Sequence, residues 1–218
     1  MELKGLKINF LGDSITEGYG TSSEQTTFHN VLKEMAGLDK ARNYGIGGTR
    51  FALQSGTPER PKDDYVDVNS FSERFDKMDD DADVVVVFGG TNDFGHGDAP
   101  IGKKEDRTPE TFYGACHFLF GSLIEKYLGK PIVIMTPLHR SDLGGEINAK
   151  GIALKEYVDI IREVAEIYSL PVLDLYAASG IAPQLTKVKE SFMPDGLHPN
   201  DAGHRLIAQR LFGFLKSL

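Results

Sequence analysis

The sequence predicts an α/β fold: a three-layer α/β/α sandwich around a parallel sheet of about five strands. Three observations carry that prediction. Short apolar runs alternate about five times with segments whose apolar residues recur at helical spacing. The segment from Asp83 to Phe88 is β-branched and almost wholly apolar, as suits a central parallel strand covered on both faces. No internal repeat or low-complexity linker interrupts the order, and 218 residues suit one domain, 1–218.

The elements follow in order. Lys7 to Leu11 reads as a short buried strand. Phe28, Val31, Leu32 and Met35 fall at i, i+3, i+4 and i+7, one face of a helix that Gly37 closes. Ala41 to Tyr44 is a brief second strand, and Phe71, Phe75 and Met78 return to helical spacing. After the strand at Asp83 to Phe88, Thr108 as N-cap and Pro109 at the first helical position open a long helix. Its core stripe is Phe112, Cys116, Leu119, Leu123 and Tyr127, and Gly129 ends it. Pro131 to Thr136 is a strand, Ile152 to Tyr168 an amphipathic helix, and Val172 to Leu175 the last strand. A final helix from Asp201 to Leu215 buries Ile207, Leu211 and Leu215. Three stretches break the rhythm, Gln54 to Asn69, Phe94 to Arg107 and Ser141 to Lys150. They read as surface loops, and loops of that length favour the rim of a pocket.

Composition narrows the classes. A 40% hydrophobic and 26% charged chain is globular rather than disordered or fibrous. No apolar run approaches the roughly 20 residues that span a bilayer. The single cysteine, Cys116, cannot form an internal disulfide and reads as a small buried hydrophobe. Met1 to Phe10 has too short an apolar core for a signal peptide, so the expected compartment is a reducing cytoplasm, with no membrane partner. A net charge of −8 argues against nucleic acid as a partner, because phosphate binding wants a basic face.

In an open parallel sheet, ligands bind beyond the carboxyl ends of the strands, where the strand order reverses. Those ends carry Gly12-Asp13-Ser14, Tyr44-Gly45-Ile46-Gly47-Gly48-Thr49, Gly89-Gly90-Thr91-Asn92-Asp93 and Pro137-Leu138-His139-Arg140. Asp195-Gly196-Leu197-His198-Pro199 stands just before the last helix. Singly, each piece has a bland reading as a turn or cap. The glycines of the second stretch also suit a phosphate cradle, but no P-loop lysine and serine follow, and no GxGxxG opens a helix after the first strand.

Together the blocks resemble the SGNH hydrolase superfamily, also called the GDSL esterase/lipase family. They are Gly12-Asp13-Ser14 (with Ile15 where many members have leucine), Gly48 in the second block with Gly47 as the fallback, Gly90-Thr91-Asn92-Asp93, and Asp195-Gly196-Leu197-His198-Pro199. The resemblance spans Gly12 to His198 in family order, and it implies a flavodoxin-like sheet and an esterase or lipase that needs no metal or organic cofactor. The chemistry agrees. An alcohol needs a base within hydrogen-bond reach to become a nucleophile. Ser14 is the candidate nucleophile and His198 the base, since imidazole titrates near neutrality. Asp195, three residues earlier, can orient the ring. The backbone N–H groups of Ser14 and Gly48 and the side-chain amide of Asn92 are candidate oxyanion donors.

The remaining polar residues are less specific. Asp13 adjoins Ser14, but a neighbouring side chain points elsewhere, which favours a structural role bonding loop amides; Asp93 reads the same way. Asp13 and His139 are kept as candidate substrate-binding residues. His96 and Arg140 also follow strand ends, and Arg60 and Arg74 have no assignable role. The expected reaction is hydrolysis of short acyl or acetyl esters through an acyl-serine, on a small-molecule or carbohydrate ester; a carbohydrate deacetylase and a thioesterase both stay open. The absence of a long apolar lid disfavours an interfacial lipase. One rival is a metal-dependent phosphoesterase using Asp13, Asn92, Asp93, His96 and His198, although no HxxxH or DxH spacing occurs. The other is an inactive binding module of the same fold. Oligomeric state is not legible.

Overall fold

The structure, a computed structural model, describes residues 1–53, 70–142 and 146–218. The expected loop at 54–69 lies outside the described residues, as do residues 143–145 of the loop from Ser141 to Lys150. Five parallel strands, β1 (Lys7–Gly12), β2 (Lys40–Gly45), β3 (Val84–Phe88), β4 (Ile132–Met135) and β5 (Val172–Leu173), lie in the order β2-β1-β3-β4-β5. The helices are α1 (Ser14–Glu17), α2 (Phe28–Ala36), α3 (Phe71–Arg74), α4 (Thr91–His96), α5 (Phe112–Lys126), α6 (Leu154–Ile167), α7 (Leu175–Ala178), α8 (Thr186–Phe192) and α9 (Asp201–Ser217).

The central strands divide their side chains between two cores, as the two-residue period of a strand requires. Ile8, Phe10, Val84, Val86, Val133 and Met135 face the core shared with α2 and α9. Leu11, Val85, Val87, Ile132 and Ile134 face the core shared with α3, α5 and α6. The chain moves from β1 to β2 in one direction and from β2 to β3 in the other. Crossovers of one hand must change face when the direction reverses, so α2 and α3 lie on opposite faces. The reversal opens a crevice between the carboxyl ends of β1 and β3. Register makes those ends level: Gly12 pairs with Gly45 on one side and Phe88 on the other.

The long helix begins later than its sequence predicts. Thr111, not Thr108, is the N-cap, and its Oγ1 accepts the Gly114 N–H at 3.1 Å. Pro109 lies in a turn before the helix, where its carbonyl accepts the Leu53 N–H at 2.8 Å. Residues 94–107 are not wholly irregular, because α4 runs to His96. The helical spacing of Phe71, Phe75 and Met78 holds for one α-turn, followed by a tighter 3₁₀ turn at Phe75–Lys77. No helix among the described residues is long and apolar enough to cross a membrane.

Phe112 is buried against Phe51, at 5.9 Å between ring centroids, and against Tyr157, at 4.8 Å. Truncating such a ring leaves a cavity as well as losing transfer energy. Phe112→Ala is expected to lower unfolding free energy by roughly 3–5 kcal/mol in urea titration; a loss below about 1 kcal/mol would contradict this packing.

Candidate active site

β1 ends in a sharp turn into α1, and that turn presents Ser14. The Asp13 carboxylate caps the short helix, its Oδ1 accepting the Ile15 N–H at 3.0 Å. Gly45, the last residue of β2, lies so close that an added Cβ would sit 2.2 Å from the Glu17 nitrogen. Only glycine lets α1 rest there. Beneath the turn, Arg74 donates from Nη2 to the Gly12 carbonyl at 2.6 Å and to Thr49 Oγ1 at 3.0 Å, and from Nη1 to the Tyr44 carbonyl. Burial lowers this guanidinium to about 10, against the opposing pull of Asp13 and Glu17, so it keeps its charge at neutral pH.

His198 enters from the far end of the chain. The Asp195 Oδ1 accepts the backbone N–H groups of Leu197 at 2.8 Å and His198 at 2.7 Å, which folds this loop into a turn. Asn200 then caps α9 by accepting the Gly203 N–H. The other carboxylate oxygen, Asp195 Oδ2, lies 2.6 Å from His198 Nδ1. An ionised carboxylate only accepts, so Nδ1 carries the ring proton and Nε2 is left as the acceptor. Ser14 Oγ lies 3.1 Å from that Nε2 and donates to it. Burial alone would raise the Asp195 carboxyl; the hydrogen bonds from His198 and Leu197 outweigh it and hold the group below its ordinary range. The ring of Tyr19, largely exposed, packs 4.4 Å from that of His198.

A cleft of about 420 Å³ opens over Ser14 and is lined by Gly48, Asn92, His96, Arg140 and His198 among others. The Ser14 N–H, first in α1, has no acceptor among the described residues, and neither has the Gly48 N–H. The neighbouring Gly47 N–H is committed to Glu17 Oε2 at 2.7 Å, which favours Gly48 over Gly47 as a donor to the cleft. Gly48 takes φ +74°, a left-handed conformation that glycine adopts without strain. The Asn92 amide donates from Nδ2 to the Thr49 carbonyl at 3.0 Å and accepts at Oδ1 from His96 Nε2, 3.1 Å away.

Ser14, His198, Asp195, Gly48 and Asn92 are therefore brought together. Asp13 and His139 are not among the residues lining the cleft. Asp13 is buried under α1. His139 is held by Glu146 Oε1, 2.6 Å from its Nδ1, and stacks on Tyr176 at 3.8 Å; Arg140 reaches the cleft in its place, locked to Asp142 by two contacts of 2.6 Å. Asp93 accepts the N–H groups of Phe51 and Ala52 at 3.1 and 3.0 Å. Of the residues a metal phosphoesterase would use, Asp13 and Asp93 are turned to backbone amides away from the cleft, and among the described residues no group of three His, Cys, Asp or Glu converges. Glu17, Tyr19 and Asp142 also line the cleft without having been singled out in the sequence, and Arg74 supports it from below. Nothing in the spacing of Glu17, Tyr19 and Arg74 marks them, because each acts through a partner distant in sequence; Asp142 pairs with nearby Arg140.

The model of the GDSL-like lipase/acylhydrolase family matches residues 10–206, a span holding every element of the site. The chain belongs to the GDSL-like lipase/acylhydrolase family. Its fold agrees with this membership. A solved protein from Lactobacillus plantarum is 29% identical, with a TM-score of 0.85 over 99% of this chain and 98% of that one. A possible lipase from Chitinophaga pinensis is 22% identical, with a TM-score of 0.67 over 97% and 98%. An acetyl xylan esterase, AlAXEase, is 21% identical, with a TM-score of 0.63 over 95% and 98%. No curated protein matches this chain.

Within this GDSL-like site, burial pushes the Asp13 carboxyl up to about 7; the Ile15 N–H and Arg74 oppose the shift and the Asp93 charge adds to it. The unfolded chain releases this proton near pH 4, whereas the folded chain holds it to about 7. The contribution of Asp13 to stability therefore falls as pH rises between those values. Asp13→Asn keeps the cap acceptor and removes the titration. Its stability relative to wild type is expected to rise from pH 4 to 7, by on the order of a few kcal/mol, and to level off above. Urea unfolding at pH 4.5, 6 and 8 measures the difference; a gap that stays constant or narrows contradicts the assignment.

Proposed function

We propose that this member of the GDSL-like lipase/acylhydrolase family is a serine esterase that cleaves short acyl or acetyl esters, with Ser14 as nucleophile, His198 as base and Asp195 as the residue orienting it. The observation that carries the reading is the Ser14–His198–Asp195 relay, at 3.1 and 2.6 Å, at the edge of a cleft lined by Gly48 and Asn92. Ser14 Oγ attacks the ester carbonyl carbon while His198 Nε2 takes its proton. The negative oxygen of the tetrahedral intermediate accepts from the N–H groups of Ser14 and Gly48 and from the Asn92 amide. Collapse breaks the bond to the alcohol oxygen, and His198 returns the proton to that oxygen. Water then attacks the acyl-serine, with His198 again taking a proton, and the carboxylic acid leaves with Ser14 restored.

The leaving alcohol receives its proton from His198, so it lies beside that ring. The Tyr19 ring, tilted beside His198 and largely exposed, offers a platform there for a flat or ring-shaped alcohol. Glu17 and the Arg140–Asp142 pair place charged groups in a lining that otherwise exposes mainly apolar atoms. These features support a carbohydrate acetyl ester over a long-chain lipid, and the fold shared with an acetyl xylan esterase is compatible with it.

On nitrophenyl acetate, Ser14→Ala and His198→Ala are expected to lose nearly all turnover, whereas Asn92→Ala retains a measurable remainder after a loss of about 10²–10³-fold. A serine-directed phosphonate should add its mass at Ser14. Wild-type-like turnover by Ser14→Ala would sink the mechanism. A panel of acetyl, butyryl and octanoyl nitrophenyl esters, acetylated sugars and acyl-CoA separates esterase, deacetylase and thioesterase; preference for octanoyl esters over acetylated sugars would overturn the substrate reading.

A further inference from the structure

His96 lines the cleft without reaching Ser14 in any hydrogen bond between them, and its ring stands between two groups of fixed character. On one side Arg50 Nη1 lies 3.2 Å from Nδ1 and also donates to the His96 carbonyl at 3.1 Å. A guanidinium only donates, so Nδ1 is the acceptor and the ring proton sits on Nε2. On the other side that Nε2 lies 3.1 Å from Asn92 Oδ1. The proton on Nε2 dictates which end of the Asn92 amide faces it: the oxygen points at His96, and the nitrogen, which also holds the Thr49 carbonyl, carries its second hydrogen. A reversed amide would set its NH₂ against the Nε2–H and its oxygen against the Thr49 carbonyl.

From this chain of contacts we infer that His96 is a positioning residue for the oxyanion site, acting through Asn92, with Arg50 selecting the tautomer that makes it a donor. The inference rests on the reading of Asn92 as an oxyanion donor. His96 lies one helical turn after Asn92 in α4, so the pair is an i, i+4 contact on one helix face and the element itself sets their separation. The effect belongs to the transition state: the amide matters when charge builds on the carbonyl oxygen and little when neutral substrate binds.

The test compares His96→Ala, His96→Gln and Asn92→Ala on nitrophenyl acetate, with active sites counted by phosphonate labelling so that misfolded protein is not scored. His96→Ala is expected to lower kcat and kcat/KM together by about tenfold with KM within about twofold. His96→Gln, whose amide nitrogen can replace the Nε2–H, should recover most of the loss. The affinity of an alkyl boronic acid, which forms a tetrahedral adduct on the serine, should fall by the same factor as kcat. A His96→Ala kcat within about twofold of wild type, a loss expressed in KM alone, or a glutamine variant as impaired as alanine overturns the inference. Asn92→Ala separates the two claims: if it leaves kcat intact, the oxyanion role of Asn92 fails and takes the inference with it; if it costs about 10²-fold or more while His96→Ala costs nothing, only the role of His96 fails.

Discussion

The buried guanidinium of Arg74 fastens three separate stretches of chain, through the carbonyls of Gly12 and Tyr44 and the hydroxyl of Thr49. Two residues beyond Gly12 is Ser14, and one residue before Thr49 is Gly48. The Thr49 carbonyl in turn receives the Asn92 amide. All three proposed oxyanion donors are thus held within two bonded steps of one cation. A carbonyl has two lone pairs, so Gly12, which already accepts the Ile46 N–H, still has one to offer, and a planar cation with five donors in a fixed fork reaches several such acceptors at once. The geometry of the cleft follows from this fastening and from the level register of β1, β2 and β3.

The carboxylates of the site show how surroundings divide one functional group among several tasks. Asp13 and Asp93 are buried on backbone amides, and burial pushes them up to about 7 and about 6. Asp195 is half exposed, accepts three donors and is held low. A group that must stay ionised beside an imidazole throughout turnover is suited by the third environment and not by the first two. The proposed role of Asp195 as the orienting acid is thus supported by its solvation as well as by its 2.6 Å contact with His198.

Much of this was legible beforehand, for reasons that differ by residue. The valine run of β3 and the helical stripes of α2, α5 and α6 announce themselves because burial on a regular element imposes a period. The polar residues at strand ends were legible because topology sends ligands there. What sequence did not carry was the start of α5, where a turn through Pro109 competes with a good N-cap at Thr108. It also did not carry the short helices α7 and α8, too brief to display a period. The linking residues were hidden for another reason. Arg74, Glu17 and Tyr19 matter through partners that adjoin them only after folding, and the sequence favours His139 over Arg140 as a cleft residue because it does not show that Glu146 and Tyr176 claim the histidine ring.

Ser14 and His198 stand 184 positions apart, so synthesis delivers the hydroxyl well before the imidazole. Until the segment before α9 has been made and α9 has packed against α2, the serine is an ordinary alcohol with no imidazole beside it. On the proposed mechanism, a growing chain of this topology therefore gains its nucleophile only after His198 has been made and placed beside Ser14.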